Sequence, residues 1–160
     1  MSIVAVFYFA VITKEASCCP VCHEELGMIG TRERVRWKAN YVQHKLLIRR
    51  LYCENCHKIH HEIPDCLVPY KRYEADVIEG AIEGKPANEL GVSDNAVYRF
   101  RCWWGAVETY FSDILEMLAA KYDVSFGSPP TFREAVRAAT NSNNWTFAHR
   151  LSTCSGVCTK

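Results

Sequence analysis

The sequence has almost no net charge: 19 basic and 18 acidic side chains leave a formal +1 over 160 residues. Such a chain lacks the whole-molecule field that draws strongly basic proteins to nucleic acid, so only local clustering of charge bears on a partner. Long apolar runs are lacking too. The longest, IVAVFYFAVI from Ile3 to Ile12, has ten residues, and a membrane-spanning helix takes roughly 20. Its valine, isoleucine and aromatic content predicts a buried strand. No basic stretch precedes it and TKEASCC follows it, a poor match to a cleaved secretory leader. The expectation is a cytoplasmic protein with reduced thiols and no membrane partner. Internal repeats and low-complexity tracts are absent, as are the GxSxG, P-loop and HExxH strings. An acidic-triad transposase needs a large α/β scaffold for which this chain has no room. The chain therefore reads as a binding protein rather than an enzyme, with the composition of a soluble globular fold.

Cysteine is abundant, with nine in the chain. Two pairs have knuckle spacing, Cys19-Pro-Val-Cys22 and Cys53-Glu-Asn-Cys56, with thirty residues between them. A CxxC turn delivers two thiolates from one tight bend, and two such turns supply the tetrahedral shell that zinc prefers. Buried thiols and redox-active CxxC pairs are the competing readings. A thioredoxin-like motif, however, expects one pair between a strand and a helix, whereas here two pairs follow strand-like sequence. Four cysteines leave no open position for water, so the expected zinc is single and structural, not catalytic. His57, His60 and His61 lie close by and suit supporting or surface roles. Cys18, Cys66, Cys102, Cys154 and Cys158 read as core or surface thiols. The last two form a pair with no second pair to complete a site.

Strand patterns lie around the knuckles: RERVRWK at 32–38, YVQHKLLIRRLYC at 41–53 and KIHHEI at 58–63. Arg32, Arg34, Arg36, Lys38, Arg49 and Arg50 make these strands basic, with only Glu33 opposing nearby. Such a cluster could track phosphates or be the solvated face of a sheet. Beyond Pro69 the texture turns helical. Ala75 to Glu83 is amphipathic, Pro86 opens a short second helix, Gly91 ends it, and Ser93 caps a third. Val107, Tyr110, Phe111, Ile114, Leu115 and Leu118 recur at helical spacing, so a long amphipathic helix follows. Trp103 and Trp104 fit its core side. Thr131 and Glu134 have capping-box spacing for a last helix.

PANELGVSDNAVYRF meets the demands of a helix–turn–helix: Ala87 and Leu90 pack inward, Val92 plugs the angle, and Val97 and Phe100 face the core. The outward face then holds Asp94, Asn95, Tyr98, Arg99 and Arg101. Asparagine pairs with adenine and arginine with guanine, while Lys85 and Ser93 suit phosphates.

The strings CPVC, IRRLYCENCHKIHHEIPDCLVPYKRY and TNSNNW, with the helical segment between them, resemble a bacterial family built on a domain of unknown function and often encoded near transposases. The resemblance runs from Ile3 to Leu151. It implies an N-terminal strand, a four-cysteine zinc ribbon and a homeodomain-like helix–turn–helix, as at the DNA-recognition end of some transposases. It further implies Cys19, Cys22, Cys53 and Cys56 as the metal ligands and Ser93 to Arg101 as the recognition helix. In that family the first knuckle is usually followed by glycine; here His23 follows it.

The expected architecture is thus α+β, with a zinc ribbon over 1–69 and a helical domain over 70–160. The expected function is sequence-specific binding of double-stranded DNA by an accessory or regulatory factor of a mobile genetic element. The alternative is a zinc-stabilised adaptor that contacts a transposase or the transcription machinery without reading DNA.

Overall fold

The computed structural model describes residues 8–10, 16–127 and 129–145. They form a mixed α+β fold, an N-terminal sheet followed by helices, in two compact units that divide between Glu74 and Ala75. The sheet is built on a long antiparallel hairpin, β2 (Gly27–Trp37) and β3 (Gln43–Cys53). Leu46 and Ile48 are buried on one face of β3 and Leu51 and Cys53 on the other, as strand alternation requires. The opposite edge of β3 is shared along its length. There β1 (Tyr8–Ala10) runs parallel to Lys45–Leu47, and β4 (Lys58–His61) runs antiparallel to Arg50–Cys53.

The described part of the N-terminal apolar run departs from the buried strand expected of it: Phe9 and Ala10 are exposed. Among the described residues β1 pairs only with β3, so it is an edge, and the Phe9 ring rests beside His44 at 5.0 Å. The remainder of that run lies outside the described residues.

After β4 the chain returns over the face that carries Leu46 and Ile48 and places Leu67 on them, flanked by Ile63 and Cys66. Hydrogen bonds tie its end to the hairpin: Trp37 N–H donates to Arg72 O (2.8 Å) and Glu74 N–H to Trp37 O (3.0 Å). Two of the expected basic-strand cations serve this returning segment. Arg34 donates to the carbonyls of Val68 and Lys71, both at 3.1 Å. Arg36 pairs with Glu74 at 2.5 Å and donates to Cys66 Sγ at 3.0 Å. On the opposite face Arg49 forks onto Glu62 at 2.6 and 2.7 Å. At these positions the basic strands are neither solvated nor open to phosphate, because acids and carbonyls distant in sequence come back to meet them.

The second unit contains α1 (Ala75–Ile82), α2 (Ala87–Leu90), α3 (Asp94–Tyr122) and α4 (Phe132–Asn141). Its first two helices approach closely at Gly80, where a β-carbon would lie 2.8 Å from Leu90 Cδ2. Gly91 turns the chain with φ +59°, a left-handed cap that other residues adopt only with strain. Ser93 Oγ then accepts the Ala96 N–H at 3.2 Å. The third helix and the Val107–Leu118 repeat are one helix of 29 residues. Its buried positions Val97, Phe100, Trp103, Val107, Phe111, Ile114 and Leu115 follow the helical period. Trp103 packs against Phe111, Phe132 and Trp145 with ring centroids 6.2–6.4 Å apart. The Thr131–Glu134 capping box starts α4. No described helix is long and apolar enough to cross a membrane.

The Ser93 cap is testable. Ser93→Ala is expected to destabilise the helical unit by about 1 kcal/mol, and Ser93→Gly by only a few tenths, in thermal unfolding. An alanine variant as stable as the parent would show the cap hydrogen bond to be idle.

Candidate metal centre and exposed helix face

The first knuckle is a miniature hairpin. Cys19 N–H donates to Glu24 O (2.8 Å), His23 N–H to Cys19 O (2.9 Å) and Leu26 N–H to Ser17 O (2.9 Å). The second knuckle joins the end of β3 to the start of β4. Each knuckle is followed by a residue in the left-handed region, His23 at φ +63° and His57 at φ +52°. That is why glycine suits this position, and here histidine adopts the same conformation at both turns. His57 Nδ1 lies 3.1 Å from Tyr52 Oη, which fixes its ring at the surface.

These turns bring Cys19, Cys22, Cys53 and Cys56 together, with all four sulfurs within 4.8 Å of one another. Cys22 and Cys53 are 3.4 Å apart and Cys19 and Cys56 4.0 Å apart. A tetrahedral ion with metal–sulfur bonds of about 2.3 Å needs edges of roughly 3.8 Å, so the cage has the size and donor set for a four-coordinate metal. Cys19 and Cys53 are fully buried and the other two half-buried. The thiol protons are unequally held. A hydrogen bond from the Glu24 backbone, aided by the Cys56 thiol, draws Cys22 down to about 6. Its bond to Cys22, followed by burial, pushes Cys56 up to about 12. A cation displaces this shared-proton arrangement and is favoured as the thiols deprotonate.

Two further groups reach the sulfurs. Cys56 N–H donates to Cys53 Sγ at 3.3 Å, and His60 Nε2 lies 3.5 Å from Cys19 Sγ. Of the three nearby histidines only His60 is placed against a cage sulfur by such a contact; His61 stands on the other face of β4. The alternation of KIHH carried that signal.

Of the remaining thiols, Cys18 pairs with Glu25 in an isolated bridge, Cys66 accepts from Arg36, and Cys102 is half-buried on α3. Cys154 and Cys158 lie outside the described residues.

In the helical unit, Asp94, Asn95 and Tyr98 are exposed on the first turns of α3, while Ala96, Val97 and Phe100 are buried behind them. Arg99 is half-buried on the flank. Lys85 is exposed, with its ammonium 3.5 Å from Glu83. Ser93 is exposed and caps α3. Arg101 is exposed as well, and its head also bonds back to the preceding segment. Its Nε donates to Ala81 O at 2.7 Å and its Nη2 to Lys85 O at 3.2 Å, so the guanidinium ties α3 to the last turn of α1 and to the loop after it.

A model of the family described as domain of unknown function DUF6431 matches residues 19–100, just over half of the chain. The match begins at the first cage cysteine and ends within the first turns of α3. No curated protein and no solved structure matches.

Proposed function

Because the chain belongs to the DUF6431 family, a domain of unknown function, we propose its activity from its own surfaces: it is a sequence-specific binder of duplex DNA whose N-terminal unit is a zinc ribbon. It is a binding protein, not an enzyme, and acts as an accessory or regulatory factor of a mobile genetic element. The observation that carries the reading is the start of α3. A one-turn helix, a left-handed glycine and a capped long helix present Asp94, Asn95 and Tyr98 outward over a buried Ala96–Val97–Phe100 face. That is the shape a recognition helix needs to lay its N-terminal residues against base edges in the major groove.

In this reading Asn95 and Arg99 supply base contacts, Tyr98 packs against the groove wall, and Lys85 and the Ser93 hydroxyl meet phosphates. Arg101, exposed on the same helix, also ties α3 to α1 through Ala81 O. The metal is zinc because four thiolates in a closed tetrahedron suit an ion with no geometric preference of its own and no need of an open site. It orders the knuckles and leaves the chemistry of recognition to the helices.

The test is duplex selection followed by anisotropy at two salt concentrations. Arg99→Ala is expected to lose about 1–3 kcal/mol of discrimination between selected and scrambled duplexes. Lys85→Ala is expected to weaken both alike. Absence of duplex binding even at low salt would remove the reading and favour the adaptor role.

A further inference from the structure

The six cations of the basic strands do not share one fate. Arg34, Arg36 and Arg49 are taken up by the returning segment and Glu62, and Lys38 lies at the far end of the hairpin beyond β2. Arg32 and Arg50 remain. In the strand register Arg32 faces Ile48, two residues before Arg50, and Arg50 faces His61 of β4. Cross-strand partners and alternate residues share a face, so Arg32, Arg50 and His61 stand together on the side that carries Leu46 and Ile48. The spacing is about 7 Å along the strand and about 5 Å between strands. Arg32 and His61 are exposed and Arg50 half-buried. Among the described residues neither Arg32 nor Arg50 forms an ion pair. The nearest acids in the register are turned away: Glu33 pairs with Lys45 and Glu62 with Arg49, both on the opposite face. The His61 imidazole feels this crowding, since burial and then the charges of Arg32, Arg50 and Arg34 lower its pKa.

Like charges gathered on neighbouring strands without a counter-ion are unfavourable, and an anion relieves them. The exposed apolar neighbour is Ile59, and Tyr52 is half-buried with its hydroxyl directed to His57. Tyr52 is the aromatic ring next to the patch on these strands, and the exposed Tyr70 belongs to the returning segment beside Arg34. The patch itself offers guanidinium charge rather than a stacking platform, which suits the outside of a duplex. We infer that Arg32, Arg50 and His61 form a second nucleic-acid contact, which grips the phosphodiester backbone of duplex DNA irrespective of its sequence. The inference rests on the duplex-binding reading above and assigns a further sequence-independent share of affinity, beside that of Lys85, to the N-terminal unit.

The experiment uses the full zinc-loaded chain, a selected and a scrambled duplex, and binding across a salt series. Arg32→Gln/Arg50→Gln is expected to weaken both duplexes about tenfold or more near 0.1 M salt. The slope of log affinity against log salt should fall by about 2, since each lost phosphate contact removes about 0.9. The ratio between the two duplexes should not change. Arg32→Lys/Arg50→Lys should retain most of the slope, which separates lost charge from a disturbed fold, and zinc content serves as the folding check. If the parent discriminates between duplexes while the glutamine variant matches it in affinity and slope, this inference fails and the α3 reading stands. If the parent binds no duplex, the α3 reading itself has failed and this one falls with it.

Discussion

Cys53→Ser is expected to reduce the bound metal from one ion per chain to none and to unfold the N-terminal unit. Cys53 is the last residue of β3, fully buried, and its sulfur lies 3.4 Å from that of Cys22. A serine hydroxyl there stays protonated and offers a weak, hard donor to a soft-ligand site. Structural zinc contributes an apparent 10–16 kcal/mol or so in small metal-folded units, far more than a few aliphatic contacts can replace. The sheet's own cluster is small, Leu46, Ile48 and Leu67 with Ile63 and Cys66 beside them. The helical unit has a separate aromatic core around Trp103 and Phe111 and is expected to keep its helical circular dichroism. Metal analysis with amide spectra reports both effects at once, and also distinguishes zinc from iron in the same cage. A Cys53→Ser protein that still holds one ion tightly would show that the ligand set is wrong. His60, already 3.5 Å from Cys19 Sγ, would then be the first substitute to remove.

Glu74→Gln is expected to destabilise the metal-loaded N-terminal unit by about 3–5 kcal/mol, the usual effect of leaving one partner of a buried ion pair uncompensated. Arg36 and Glu74 are 11% and 9% exposed and meet at 2.5 Å. The other neighbours of the Arg36 head are Cys66 Sγ, His44 Nδ1 and the Phe9 ring, none of them a carboxylate, and its Nε is buried without a hydrogen-bond partner. Glutamine keeps the shape and removes the charge, so a stranded guanidinium is what the measurement isolates. Replacing both partners by apolar residues, Arg36→Met with Glu74→Leu, is expected to be less damaging than Glu74→Gln alone. Thermal unfolding should show a fall of more than about 10 °C for the single variant. A double variant less stable than the single one would show that the pair contributes more than it costs to desolvate.

Much of the fold was legible because its signals are local. The helix ends at Gly91, Ser93 and Thr131 are written in residues that satisfy or terminate a turn within four positions, so no distant partner is needed to read them. The two CxxC turns are equally local, and chemistry alone makes two such turns seek one another around an ion. The left-handed histidines after each knuckle show the same turn closed by another residue type.

The fate of the charged residues was not legible. Six basic side chains on two strands look alike in sequence. Arg36 differs from Arg32 only because Glu74, 38 residues further on, is carried back over the sheet to meet it. Arg101 is exposed, yet its Nε meets Ala81 O of α1, a partner that helical phase does not show. Phe9 sits in an apolar run but, among the described residues, lies on a sheet edge, which only strand order reveals.

The four-cysteine set that now reads as a cage was therefore determined by the sequence itself, as were the helix boundaries, because thiolate spacing and capping act over a few residues. Which arginines hold the fold and which two remain to meet an anion was decided by the tertiary structure, because electrostatic pairing depends on distance in space and the chain closes those distances only when folded.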